Sequence, residues 1–205
     1  MRALFDHDMT RPRALRSMAA RISLAMMLLA ACDTRSQLHG VMIEPPRDVP
    51  AFEFTLASGA RWRTGPESDR PMVVFFGYTH CPDICPTTLA DWKRARSRLG
   101  TAADRVRFVF VTVDPERDTP AIADAYAKQF DPSFVGVSGD SATTTDMLKA
   151  YGATAAREPS VDPRNYLVGH TASAFLVDGQ SRLLAMYPPG IGWEALADDL
   201  KTVLK

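Results

Sequence analysis

"FFGYTHCPDICPTTLADW", residues 75–92, decides how this chain is read. An apolar run (71–78, "PMVVFFGY") ends at two cysteines four residues apart, each followed by proline, and a helical pattern begins. The run is continuous and bounded by turn residues, as expected of a strand buried on both faces. In "PTTLADWKRARSRLG", Leu89, Trp92, Ala95 and Leu99 recur on one helical face and Gly100 marks the stop. Cys81 and Cys85 therefore fall at a strand-to-helix junction.

Outward from this junction the periods alternate. "RVRFVFVTVD" reads as a second buried strand, and "DTPAIADAYAKQF" as a helix with Thr119 as N-cap and Pro120 at its first position. "FVGVSG" is a short strand, and "DSATTTDMLKAYG" is a helix ending at Gly152. Residues 153–168 form a long excursion without periodicity. "ASAFLVD" and "RLLAMY" make a hairpin, and "GWEALADDLKTVLK" is an amphipathic last helix. Upstream, "FEFTLASGARWRT" alternates on both sides of Ser58-Gly59 and reads as an N-terminal hairpin. The order predicts an α/β layer fold. It matches a thioredoxin-like fold with an N-terminal β-hairpin and a long insertion before the strand that His170 precedes.

The chain has 205 residues, 46% hydrophobic and 23% charged, which fits one globular domain. Its 24 basic residues balance 24 acidic ones, so no cationic excess points to nucleic acid. Residues 1–31 read as a secretory signal, with arginines at 11, 13, 16 and 21 before a short apolar run. "LAAC", residues 29–32, resembles the lipobox of bacterial lipoproteins, which implies lipidation of Cys32. Residues 32–50 then read as a polar tether and 51–205 as the folded domain. The expected location is the periplasmic face of the bacterial inner membrane, by a lipid anchor. Export also leaves two thiols, Cys81 and Cys85, in an oxidising compartment.

Those thiols allow a structural disulfide, a redox pair or a metal site. The four-residue spacing puts them one helical turn apart, and a helix N-terminus favours the thiolate. Two thiolates are too few for structural zinc, whereas thiolates with one imidazole suit copper. Three histidines follow Cys32. His39 lies in the tether and reads as solvated. His80 adjoins Cys81 and reads as exposed or supporting. His170, in "YLVGHTASAFLVD", precedes a strand whose leading loop packs beside the cysteine loop in thioredoxin-like folds. Position alone leaves it between ligand and ordinary loop histidine. Thr171-Ala172 stands where oxidoreductases carry threonine and a cis-proline. The methionines form no Met-x-x-Met cluster. Asp114, Arg117 and Asp118 in "DPERDTP" read as strand-end and helix-capping chemistry.

Residues 50–205 resemble the Sco/SenC family of copper-binding, thioredoxin-fold proteins of cytochrome c oxidase assembly. "GYTHCPDICPTTL", "FVTVDPERDTP" and "YLVGHTASAFLVD" carry the resemblance, in order. It implies copper, as Cu(I) or Cu(II), on Cys81, Cys85 and His170. It implies cytochrome c oxidase subunit two as partner, whose dinuclear copper centre is filled. A metallochaperone rather than a conventional enzyme is expected. The alternative is a thiol-disulfide reductase that keeps the partner's cysteines reduced through a Cys81–Cys85 disulfide. The cysteine pattern of thioredoxin-fold peroxidases is not matched. Gly169 departs from the family's usual aspartate before the histidine.

Overall fold

The computed structural model describes residues 37–65, 70–162 and 164–205. Residues 1–31, read as a signal peptide, and Cys32 lie outside the described residues. Met1–Gln37 and Leu38–Lys205 separate as two units, and every described strand and helix belongs to the second.

Among the described residues there are ten strands: β1 (Val41–Asp48), β2 (Glu53–Thr55), β3 (Arg61–Arg63), β4 (Met72–Gly77), β5 (Arg107–Thr112), β6 (Val135–Val137), β7 (Ala155–Arg157), β8 (Val168–His170), β9 (Ala174–Val177) and β10 (Arg182–Tyr187). Four α-helices join them: α1 (Ile84–Leu99), α2 (Pro120–Lys128), α3 (Ser141–Tyr151) and α4 (Trp193–Val203). Six strands form the main sheet in the order β1-β10-β9-β4-β5-β6. β4, β5 and β6 are parallel; the β4–β9, β9–β10 and β10–β1 pairs are antiparallel. This is the expected mixed α/β, thioredoxin-like arrangement.

The alternation of β4 distributes its side chains between two cores. Val73 and Phe75 face α1, α2 and α4 through Leu89, Trp92, Ala123 and Leu200. Met72, Val74 and Phe76 face Phe54 of the β2–β3 hairpin and Met147 and Tyr151 of α3. Every residue of β4 is buried, which is why its sequence is an unbroken apolar run. Gly136 in β6 permits close helix–sheet packing: a Cβ there would lie 2.0 Å from the Ala123 carbonyl oxygen of α2. Thr119 caps α2, accepting from the Ile122 amide at 3.4 Å, with Pro120 at the first position.

Two regions differ from expectation. Residues 41–48, read as part of a tether running to residue 50, pair with β10 as an edge strand of the main sheet. The strand was hidden because its core is "EPPRD": prolines and charges erase the alternating pattern, and the register shifts between Met42 and Arg47. The 153–168 excursion is not wholly irregular. β7 and β8 pair as a two-stranded antiparallel ribbon, with Ala155 opposite His170 and Arg157 opposite Val168. His170 therefore ends a short strand of its own, just ahead of β9.

Candidate metal centre

The site is built where β4 ends. Cys81 precedes α1, and only Cys85 is helical. The expectation of two cysteines one turn apart on one helix is thus corrected: Cys81 belongs to the turn that leads in, where its amide donates to the Tyr78 carbonyl at 3.2 Å. The Cys85 amide, at the unsatisfied start of the helix, points at Cys81 Sγ, 3.4 Å away. Gly77 makes room beneath: a Cβ on it would lie 2.7 Å from Cys85 Sγ. A larger residue at the end of β4 would occupy the thiol's place.

His170 arrives from the β7–β8 ribbon. Its Nδ1 donates to the Thr171 carbonyl at 3.1 Å, which turns the Nε2 lone pair toward the Cys85 thiol. Nε2 lies 3.6 Å from Cys85 Sγ. The ring stands edge-on to Phe75 and to Tyr78, each at 5.8 Å between centroids. One ligand atom from each of Cys81, Cys85 and His170 lies within 4.8 Å of the others. Among the described residues this is the one such histidine, cysteine or carboxylate cluster. Two sulfurs and one imidazole nitrogen converging this way fit a soft, three-coordinate ion, the donor set that copper accepts.

The surroundings of Cys85 and His170 are opposed to charge. Burial pushes the Cys85 thiol above its ordinary pKa, and its hydrogen bond with Cys81 adds to this. The helix start does not win there, contrary to the expectation of a ready thiolate: Cys85 is fully buried, and desolvation outweighs the helix field. Burial also lowers the His170 pKa, which keeps the imidazole neutral. A neutral imidazole is a competent ligand, whereas the Cys85 proton must leave when a metal binds.

The "DPERDTP" segment caps α2 through Thr119, as expected, and its Asp114, Arg117 and Asp118 side chains also support the site. Asp118 is fully buried. It accepts from the Thr79 amide at 2.9 Å, the Thr79 hydroxyl at 2.6 Å and the Thr112 hydroxyl at 2.7 Å, which fixes the cysteine turn to the end of β5. Asp114 accepts from the Tyr166 hydroxyl at 2.7 Å and pairs with Arg117. Sequence reading missed Tyr166 and the true partners of Asp118, because they are non-local.

His80 stays out of the cluster. Its ring is 58% exposed and contacts the Thr79 hydroxyl at 3.2 Å. His39 is not simply solvated, as expected of a tether residue: its Nδ1 meets Asp199 at 2.7 Å.

The sequence model of the SCO1/SenC family matches residues 40–205. The chain belongs to the SCO1/SenC family. An SCO2-like protein of Rickettsia felis is 34% identical over 136 residues, which are 65% of each chain. The chain thus spans somewhat under two thirds of that relative. The apo Sco1 protein of Thermus thermophilus is 37% identical, with a TM-score of 0.73 over 82% of this chain and 98% of that one. A structure of Bradyrhizobium japonicum ScoI with copper bound is 36% identical, with a TM-score of 0.68 over 76% of this chain and 99% of that one.

Proposed function

We propose that this SCO1/SenC protein is a copper chaperone. Cys81, Cys85 and His170 bind one copper ion as cargo and release it to cytochrome c oxidase subunit two, for its dinuclear copper centre. The observation that carries the reading is the convergence of two sulfurs and an imidazole nitrogen within 4.8 Å. The copper-bound Bradyrhizobium relative supports the choice of metal. Copper enters by displacing thiol protons, and a partner's thiolates compete for it from the side of Cys81, the more accessible sulfur. Lipidation of Cys32 holds the protein at the periplasmic face of the inner membrane. Among the described residues no helix is long and apolar enough to cross a membrane.

The test is copper titration of the full chain with single substitutions. Cys81→Ser or Cys85→Ser is expected to abolish tight binding of Cu(I), and His170→Ala to weaken Cu(II) most. Unchanged copper affinity in His170→Ala removes that residue from the ligand set. Fatty-acid labelling of wild type but not Cys32→Ser tests the anchor.

The difference in exposure also favours a second reading, a thiol-disulfide reductase. The accessible Cys81 attacks a partner disulfide, and the buried Cys85 resolves the mixed disulfide. The partner leaves as a dithiol and this chain as the Cys81–Cys85 disulfide, which an external dithiol then reduces. His170→Ala separates the two readings: restored oxidase assembly despite poor copper binding favours reduction.

A further inference from the structure

The cysteines follow β4 of the main sheet, but His170 is carried by a ribbon outside that sheet. Something must hold that ribbon in register with the thiols. The candidate is Arg117. Its guanidinium carbon lies 3.6 Å from the Tyr166 ring centre and 5.7 Å from that of Tyr78. Tyr166 leads into β8, and Tyr78 lies three residues before Cys81. Arg117 Nε donates to Asp114, whose other carboxylate oxygen accepts from the Tyr166 hydroxyl. Arg157 of β7 lies 3.7 Å from the same Tyr166 centre. Two guanidinium carbons so close to one ring centre must occupy opposite faces. Arg117 Nη2 is buried and makes no hydrogen bond among the described residues, so on that side the cation relies on ring faces. Tyr78, Tyr166 and Val168 form a small apolar cluster of their own, against which Cys81 packs.

We propose that Arg117 is a positioning residue for His170. By bracing Tyr166 and Tyr78 from Asp114, it clamps the β7–β8 ribbon against the cysteine turn and keeps Nε2 aimed at the thiols. Lysine cannot replace it, because the contact needs a planar cation. The inference rests on the copper reading for its consequence, though not for its geometry.

The experiment uses the full chain with Arg117→Ala, Arg117→Lys and Tyr166→Phe, the last of which keeps the stacked ring and loses the bond to Asp114. In copper-free protein, the His170 imidazole is followed by nitrogen-15 NMR. A single sharp ring signal in wild type is expected to broaden or split in Arg117→Ala and Arg117→Lys, and less so in Tyr166→Phe. In Cu(II)-loaded protein, affinity is expected to fall about 10-fold or more in Arg117→Ala, with loss of nitrogen hyperfine structure. In a His170→Ala background the same substitution is expected to change affinity by less than about twofold, since it acts through that ring. Should Arg117→Ala fail to fold, the lysine and phenylalanine variants decide. An unchanged imidazole signal in the folded variants, or equal losses with and without His170, overturns the proposal. If His170→Ala itself binds copper as wild type does, the ligand reading fails, and the copper-free signal still decides whether Arg117 positions the ring.

Discussion

The cysteine half and the histidine half of the site are supported in different ways. Cys85 is seated on β4 and α1, against side chains with essentially no exposure. Trp92 alone meets Phe75, Phe108 and Phe134 with ring centres 5.5–6.2 Å apart. His170 sits at the end of a three-residue strand whose ribbon pairs only with itself. Apart from Phe75 of β4, against which its ring stands edge-on, its support is a handful of side chains: Tyr78, Tyr166, Asp114 and Arg117. Cys85 is thus held within the core, while Cys81 and His170 lean on a local cluster at its edge. On the proposed chaperone reading that asymmetry is useful, since one ligand can leave without disturbing the fold.

The largest expected effect breaks the rigid half. Trp92→Ala should cost about 3–5 kcal/mol, because it removes a buried ring and leaves a cavity. Chemical denaturation measures the loss, and both halves of the site should fail together. Gly77→Ala comes next. Its methyl group would press on Cys85 Sγ, Phe75 and Phe110, at a cost of about 1–3 kcal/mol. Copper affinity should fall more than stability does, because the thiol is the atom displaced. Equal affinity for wild type and Gly77→Ala would show that the thiol has room to move.

The next prediction tests the softer half. Gly169→Asp restores the carboxylate that the family resemblance leads one to expect. Here a Cβ at that position would lie 3.4 Å from Glu158 Oε1. Two carboxylates would then face each other across the ribbon, costing about 0.2–1 kcal/mol. The melting temperature of Gly169→Asp should fall at low salt and recover at high salt or with Glu158→Gln. No recovery would mean that the glycine serves the backbone rather than charge balance.

The smallest effect is far from the site. Asp199 is buried and accepts from the His39 amide, His39 Nδ1, the Gly40 amide and the Tyr187 hydroxyl. The hydrogen bond with Asp199 raises the His39 pKa above 6.5. A raised histidine pKa stabilises the fold fully below the unfolded value, and that stabilisation is lost as pH rises through the folded one. Wild type should therefore lose stability relative to His39→Gln as pH rises from 6.5 through the raised folded-state value, while the β7–β8 ribbon is unaffected. A pH-independent difference between the two would mean that only the neutral hydrogen bond counts.

The parts that sequence made legible are those with a strong local period. β4, β5, the four helices, the β2–β3 hairpin and the β9–β10 hairpin all announced themselves through alternation or capping. Cys81, Cys85 and His170 could be named as candidates, and the structure brings them together. What stayed hidden is held by partners distant in the chain. β1 is a strand because β10 offers it an edge, not because "EPPRD" favours extension. Asp118 resembled a capping residue because it precedes Thr119-Pro120; its hydrogen bonds go 39 residues back to Thr79. The resistance of Cys85 to ionisation follows from burial under a complete sheet, which no motif encodes.

The composition of β1 has one more effect, on how copies of this protein meet. An exposed sheet edge offers amides and carbonyls to any passing strand. At this edge Pro45 and Pro46 lack amide hydrogens, Glu44, Arg47 and Asp48 bring charge, and the register is interrupted between Met42 and Arg47. The opposite edge, β6, is only three residues long. Among the described residues, neither border of the main sheet is a good template for strand addition by a second copy.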